Sequence, residues 1–139
     1  MLRLIKSPTK EPVDLEFVKG LLRIDHDAFD LVLPSLVAAA REVVERQTGF
    51  GLADAEYQWT PVGARTAPLP IRPATVISVD GARPIVLRVE PSLIPESLKL
   101  AIAMLVGGLL ANPESSVEKI VAENPALKAI LFMHTEVLP

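Results

Sequence analysis

The sequence predicts one α+β domain that is mainly α-helical: a small helical bundle around a central apolar helix, with a β-hairpin inserted into it. Three stretches, 15–24, 29–48 and 96–111, carry apolar residues at helical spacing. Between the second and third of these stretches, apolar residues recur at every second position. Seven of the 13 prolines lie from Pro61 to Pro95, which excludes a helix there. The chain has 139 residues, 50% of them hydrophobic, which suffices for one core without disulfides or a metal.

Composition excludes several classes of function. The chain has no cysteine and two histidines, which excludes thiol nucleophiles, iron–sulfur clusters, zinc ribbons and multi-histidine metal sites. A net charge of −3 argues against non-specific binding to nucleic acid, which depends on Lys and Arg. The longest uncharged apolar run, Leu100 to Ala111, is shorter than the ~20 residues that cross a bilayer. No signal peptide is visible, so we expect a soluble protein made in a cytoplasm, without membrane contact.

The first helix is predicted from its N-terminal signals. Residues 1–12 lack periodicity and are interpreted as an N-terminal arm or a short extended segment. Asp14 is a suitable N-cap, and Val13 and Val18 have the spacing of a hydrophobic staple. This helix is predicted to end near Ile24.

The second helix is predicted to begin within Asp25-His26-Asp27 and to end before Gly49, a residue suited to a helix C-terminus. Pro34 conflicts with an uninterrupted helix, because a proline inside a helix costs ~3 kcal/mol. Either the helix kinks at Pro34, or the main helix begins there with the proline at its first position.

A β-hairpin is predicted within an insertion of about residues 56–90. Residues 75–79 and 85–89 are rich in β-branched residues and are joined through Asp80-Gly81, a strong hairpin signal. Pro84 predicts that the second strand of the hairpin lies at a sheet edge.

Aromatic residues alternate before the hairpin. Tyr57 and Trp59 share one face of a predicted strand, followed by Leu69 and Ile71 at the same spacing. With Arg65 and Arg72 nearby, the two aromatic rings are compatible with stacking on a single-stranded nucleic acid. Packing in a core is the more common role for such a pair.

The third helix, opened by Pro95 and Glu96, is apolar almost all round and is therefore the predicted centre of the core. Gly107-Gly108 weakens this helix or allows a neighbouring element to approach closely. Its predicted inner face comprises Leu98, Ala101, Ile102, Leu105, Val106 and Leu109. After Asn112-Pro113, a C-terminal tail (113–139) contains two predicted short helices, 116–122 and 125–133.

Candidate chemistry is sparse. The acidic residues around His26 lack the glycine and the glutamate of a calcium loop, and are better explained by helix capping. No serine has the Gly-x-Ser-x-Gly context of a hydrolase, and no phosphate-binding or zinc-protease motif occurs. We therefore predict no catalytic, cofactor-binding or metal-binding residues. The residues considered are Asp25, His26, Asp27, Asp30, Ser35 and Ser78.

Five segments share the order and spacing of a known family. They are 18–27 (VKGLLRIDHD), 38–49 (AAAREVVERQTG), 73–79 (PATVISV), 83–86 (RPIV) and 94–99 (IPESLK). Together they resemble the head–tail connector, or adaptor, proteins of long-tailed bacteriophages, prophages and gene transfer agents. The resemblance covers about residues 13–112, which delimits a connector-like helical domain.

The resemblance implies a structural role and no enzymatic activity or cofactor. Such a subunit forms a dodecameric ring under the portal protein, contacts a tail-completion or stopper protein, and continues the channel for DNA without sequence-specific binding. It would be found in the host cytoplasm during assembly and then in the neck of the virion or phage-like particle. The alternative, from a different class, is a small helical regulatory or antitoxin-like binding protein.

Interface residues are predicted in two places. Charged side chains of the second helix have the potential to pair across a subunit boundary. The apolar run near the C-terminus either packs on the subunit's own core through Leu127, Ile130 and Leu131 or docks on a neighbouring subunit or the portal. The complete candidate set is Arg41, Glu45, Arg46, Ile130, Leu131, Phe132 and Met133.

Overall fold

A computed structural model describes residues 2–8, 10–59, 71, 73–78, 85–91 and 94–135. These residues form four strands and five helices. In chain order they are β1 (Leu2–Lys6), α1 (Leu15–Leu22), α2 (Leu33–Thr48), β2 (Ala55–Trp59), β3 (Thr75–Ser78), β4 (Ile85–Val89), α3 (Glu96–Ala111), α4 (Val117–Glu123) and α5 (Pro125–His134). The α+β, mainly helical class is confirmed. None of the described helices has the length and hydropathy of a membrane-spanning segment.

Local signals place α1 and α2. The Asp14 carboxylate accepts a hydrogen bond from the Phe17 N–H (2.8 Å), which confirms the predicted N-cap. The helix ends slightly earlier than predicted, at Leu22, because Arg23 adopts a left-handed conformation with φ 59°. Gly49 terminates α2 with φ 78°, as its sequence position predicts.

Pro34 lies in the first turn of α2, where its missing N–H costs no hydrogen bond. Of the two alternatives, the main helix therefore begins at the proline and does not kink. The prediction that a helix begins within Asp25-His26-Asp27 is wrong, since residues 26–32 form turns and bends. A helix through this segment would have required Pro34 in its interior.

Helix α3 is the centre of the helical core, as predicted, and it packs against each of the other four helices. Ile102 and Leu105 are fully buried. A Cβ at Gly107 would lie 2.7 Å from Cδ2 of Leu22, and a Cβ at Gly108 would lie 2.6 Å from Cγ2 of Ile120. The two glycines thus allow α1 and α4 to approach α3 closely.

The C-terminal helices complete this core. Side chains of Ser116 and Asn124 cap α4 and α5 by accepting hydrogen bonds from Lys119 N–H (3.2 Å) and Leu127 N–H (3.1 Å). Leu127 and Leu131 are buried in the same apolar cluster as α3. The inner face of α5 therefore packs on the subunit's own core.

The four strands form one antiparallel sheet in the order β1-β2-β4-β3. The pairing of β3 with β4 agrees with the predicted hairpin, whose Asp80-Gly81 turn lies outside the described residues. The prediction that β4 lies at an edge is wrong, because β4 pairs on both sides. The strand begins at Ile85, directly after Pro84, which lies outside the described residues.

One face of the sheet carries a second, smaller apolar cluster of Trp59, Ile71, Leu87 and Val89. The other face is polar, with an ion pair between Arg88 Nη2 and Glu56 Oε1 (3.2 Å). Leu69, predicted to share the apolar face, lies outside the described residues. The N-terminal segment was predicted to be an arm or a short extended segment. Residues 2–6 form β1, so the extended alternative is correct for them.

Candidate functional site

A buried ion cluster lies where α2 meets the sheet. Arg41 and Glu45, one turn apart on α2, are only 3% and 6% exposed. Arg41 donates to Glu45 Oε1 (2.5 Å) and to Glu11 Oε2 (2.7 Å), and the Tyr57 hydroxyl donates to Glu45 Oε2 (3.2 Å). The cluster therefore links the N-terminal segment, α2 and β2 through one set of hydrogen bonds.

The electrostatics of the cluster follow from its burial. Burial raises the pKa of the Glu45 carboxyl, although the hydrogen bond and charge of Arg41 act in the opposite direction. Burial also raises the pKa of Tyr57, and the adjacent Glu45 carboxylate adds to this rise. For Arg41, burial lowers the pKa but is outweighed by its two carboxylate partners, so the net pKa is raised. Arg41 thus remains a cation that compensates two acids.

A cleft of about 460 Å³ opens beside this cluster. Leu4 of β1 and Ile71 line its apolar side, while Arg46 and Glu42 line its polar rim. Within the cleft, the Arg41 and Glu45 side chains bind each other, so the buried charges that line it are already paired.

The seven predicted interface residues fall into two environments. Arg41 and Glu45 pair with each other inside the chain, while Arg46 is exposed. Of the C-terminal run, Leu131 is buried and Ile130 half-buried, whereas Phe132 and Met133 are 76% and 71% exposed. A role for these residues between subunits stays a prediction.

A second exposed apolar group was not predicted. It occupies the segment between α1 and α2, where Leu31 is 90% exposed and Phe29 and Val32 are also exposed. The sequence contains only a weak indication that these residues are exposed, because helical spacing assigned Phe29 to the buried face of the second helix. Pro34 is the signal that could have placed these residues outside it.

The acidic segment around His26 is organised by local contacts. Nδ1 of His26 accepts a hydrogen bond from the Ala28 N–H (3.2 Å), its ring packs against Phe29, and Asp30 pairs with Lys19 of α1. Within the described ranges no group of three or more acidic or histidine residues is arranged to hold a metal ion. The prediction that these acidic residues cap a helix is wrong, because α2 begins at Leu33 with Val32 as its N-cap and has no acidic residue in its first turn.

The two aromatic residues of β2 are engaged inside the protein. Trp59 is buried in the apolar cluster of the sheet, and Tyr57 donates to Glu45. Neither ring is presented as an open stacking surface. Arg65 and Arg72, the cations considered with them, lie outside the described residues.

Comparison with known proteins agrees with this architecture. The family model for phage gp6-like head–tail connector proteins matches residues 12–129. The chain belongs to this family. As a head–tail connector it has a structural role, and the alternative of a regulatory or antitoxin-like protein is not supported.

The connector fold is also found in a solved structure. Its chain comes from the neck of an empty GTA particle, computed with C6 symmetry. The two chains share 18% identity and a TM-score of 0.71, over 100% of this chain and 97% of the other. This similarity shows a shared fold. No curated protein matches the sequence.

The family match reaches further than the sequence resemblance did. The resemblance ended at about residue 112, whereas the matched region continues through α4 and into α5. Helix α4 and the first half of α5 thus lie within the matched region, consistent with the burial of Leu127.

Proposed function

We propose that this connector assembles as a ring beneath a portal protein, joins a phage-like capsid to its tail and continues the DNA channel. The observation that carries the proposal is the family match across residues 12–129. The C6 symmetry of the neck that holds the similar chain supports a ring, and a dodecamer is a multiple of that symmetry. A tail-completion or stopper protein is the proposed partner on the other side.

The charge of the subunit supports a channel through which DNA passes without being held. With a net charge of −3, a ring of copies repels the phosphate backbone weakly instead of binding it. We infer no sequence-specific contact with DNA. The subunit acts in the host cytoplasm during assembly and afterwards in the neck of the particle.

We further infer that the subunit is not an enzyme and needs no cofactor, because its family is a structural one. Metal analysis of the purified protein tests this inference. Stoichiometric metal that is lost on His26→Ala substitution would contradict it.

The exposure of each candidate side chain decides which residues we propose to contact neighbouring molecules. Arg46, Phe132 and Met133 are exposed on the subunit and are proposed to contact neighbouring molecules. Arg41, Glu45 and Leu131 are proposed to act indirectly, by fixing the elements that carry those residues. In domain terms, we propose residues 13–112 as the connector-like domain and 1–12 as its N-terminal arm, which adds β1 to the sheet. The C-terminal tail, 113–139, adds α4 and α5 to the core and carries the exposed Phe132 and Met133.

Co-expression with the portal protein of the same genome tests the proposal. We expect negative-stain images to show connector rings on the portal, and light scattering of the connector alone to show association as its concentration rises. Portal without connector is the control for ring density. A connector that stays monomeric at every concentration and never binds the portal would overturn the proposal.

A further inference from the structure

We propose that two exposed apolar patches at opposite ends of α2 bind each other between neighbouring copies, so that subunits join head to tail. The loop patch consists of Phe29, Leu31 and Val32, before α2. The α5 patch consists of Ala129, Phe132 and Met133. This inference rests on the proposed ring and names the surfaces that build it.

The loop patch is held in place although its side chains are exposed. The N–H groups of Val32 and Leu33 both donate to the Phe29 carbonyl, at 3.0 and 2.9 Å. Asp30 pairs with Lys19 of α1, which ties the segment to the helical core. An ordered segment that exposes Leu31 to 90% carries apolar area that its own chain does not cover.

The α5 patch is the outward face of an amphipathic helix. Ala129 and Met133 are four residues apart and share a face with Phe132, while Leu127 and Leu131 point into the core. The inner face of α5 already packs on the core of its own subunit, and the opposite, exposed face is apolar as well. This exposed face is present on the subunit before any partner binds.

The two patches cannot meet within one chain. Thr135, directly after α5, donates through Oγ1 to the Gln47 carbonyl (3.2 Å), and the rings of His134 and Phe50 pack at 5.7 Å. These contacts place the end of α5 at the C-terminal end of α2. Val32 directly precedes the N-terminal end of α2, and the 16 residues of α2 span about 24 Å.

Charge complementarity identifies the occupant of each patch. The exposed Asp25 and Asp27 lie in the chain just before the loop patch, and Asp30, within it, is paired with Lys19. In α5, the exposed Lys128 lies one turn from Phe132, and the helix contains no Asp or Glu. The α5 patch of a second copy, with its lysine, thus complements the loop patch, with its aspartates. Charges at the edge of such an interface fix how the two surfaces align.

Pairing of two different patches produces a heterologous interface, which closes into a ring when the rotation between subunits permits. Self-pairing of the loop patch would bring the aspartates of two copies together. It would also leave the α5 patch of each copy uncovered. The observed distribution of charge and apolar area therefore favours head-to-tail contact.

Disulfide cross-linking tests the contact, since the chain has no cysteine of its own. Ala28 and Ala129 are exposed residues beside or within the two patches. We expect the double variant Ala28→Cys, Ala129→Cys, oxidised in assembled rings, to give a ladder of covalent oligomers. Each single variant is the matched control and should remain monomeric on a non-reducing gel.

The outcomes separate the two proposals. Dimers from a single-cysteine variant would reveal self-pairing and overturn the head-to-tail contact. Rings visible by microscopy without a ladder from the double variant would also overturn it, while the proposed ring function would stand. Absence of rings for the unmodified chain, with and without portal, would overturn the proposed function itself.

Charge reversal provides an independent measurement. We expect Lys128→Glu to weaken self-association at least about tenfold and the pair Asp25→Lys, Asp27→Lys to do the same. Combining the three changes should restore association. Lys119→Glu, at an exposed position of α4, is the matched control and should have no effect. Thermal melts of all variants verify folding, and equal association of Lys128→Glu and Lys119→Glu would overturn the contact.

Discussion

Arg41 and Glu45 are the two charged side chains that the described part of the connector buries. Burying a charge is costly unless it is paired, and here each charge has its partner on the same helix. Glu11 and Tyr57 then bind the pair from two other segments. At the scale of single residues, this cluster determines where the N-terminal segment and β2 lie against α2.

Titration of Glu45 gives the first prediction. Because burial raises its pKa in the folded chain, the folded chain binds this proton more tightly than the unfolded chain. The stabilising contribution is complete below the ordinary pKa and is lost as pH rises through the raised pKa. As pH rises above the ordinary pKa of a glutamate, about 4.3, the free energy of unfolding should therefore fall relative to that of Glu45→Gln, which does not titrate at this position.

Denaturant unfolding of both proteins at several pH values measures this difference. The comparison removes the contribution of all other titrating groups that the two proteins share. A difference that is independent of pH, or that changes in the opposite direction, would contradict the prediction.

Side chains in the centre of α3 give the second prediction. Ile102→Ala and Leu105→Ala should each lower the free energy of unfolding by ~2–5 kcal/mol, because both side chains are fully buried and their removal leaves a cavity. Phe132→Ala, a change of an exposed side chain, is the control and should cost less than ~0.5 kcal/mol. Denaturant melts that show equal losses for all three variants would mean that α3 is not the centre of the core.

The role of a residue could be predicted from the sequence when its partner lies within one helical turn. It could not be predicted when the partner lies far away in the chain. Asp14 and Gly49 follow from capping preferences, which depend on the nearest backbone groups. Arg41 was predicted to be available to a neighbouring subunit. Its partner Glu11 lies 30 positions away, and the spacing of residues along α2 does not predict that contact.

Helix α3 meets Leu22 of α1 at Gly107 and Ile120 of α4 at Gly108, and these two neighbouring side chains differ in rigidity. The added methyl of Gly107→Ala meets the end of the flexible Leu22 side chain, whereas that of Gly108→Ala meets the β-branched Cγ2 of Ile120. Alanine gains ~1 kcal/mol of helix propensity at either position. We expect Gly108→Ala to be destabilising and Gly107→Ala to lie closer to neutral.

A double-mutant cycle measures the second contact. In Gly108→Ala, Ile120→Ala the added methyl no longer meets Cγ2, so the combined loss of unfolding free energy should be smaller than the sum of the two single losses, by about 0.5–3 kcal/mol. Strict additivity would show that Gly108 and Ile120 do not interact.

Truncation after Asn112 gives the prediction for α4 and α5. The structure buries Ile120, Leu127 and Leu131 in the same cluster as α3, so the shortened chain should melt at a distinctly lower temperature or lose its cooperative transition. The full-length variant Phe132→Ser, Met133→Ser is the control and should melt like the unmodified protein. A truncated chain with unchanged melting but no assembly would mean that the tail acts by docking alone.

The elements themselves were largely predictable, but their limits depended on the tertiary context. Proline at the start of α2 and the alternation in β2–β4 are local signals, and the predicted helices and hairpin follow from them. The pairing of residues 2–6 with β2 was not predictable, because the segment is short and lacks periodicity. Sheet order likewise depends on which strands meet, so the position of β4 could not be derived from Pro84.

The whole molecule contains two apolar clusters, one among the helices and one on the sheet. The ion cluster around Arg41 connects the two layers. The most exposed of the large apolar side chains, Leu31, Phe132 and Met133, lie near the two ends of α2. The sequence predicted the helical core well, since α3 is apolar all round, and it drew attention to Phe132 and Met133, but it did not predict the exposed group before α2.

Net charge gives the prediction for the whole molecule. The free connector should bind duplex DNA more weakly than a Kd of about 10⁻⁴ M at physiological salt, because it carries a net charge of −3. An electrophoretic mobility shift assay over a range of salt concentrations measures this. Tight binding that falls steeply with added salt would show a concentrated cationic surface and would contradict the proposed passive channel.

Strand β1 has a consequence for synthesis of the chain. It precedes its partner β2 in the chain, and β2 is complete only when Trp59, the residue opposite Leu2, has been added. Until then the nascent segment carries Leu4 and Ile5 without a partner strand, and in the finished sheet β1 still forms an edge. Arg3 and Lys6, both exposed, place positive charge on that edge, where it opposes aggregation between nascent chains and between finished sheets.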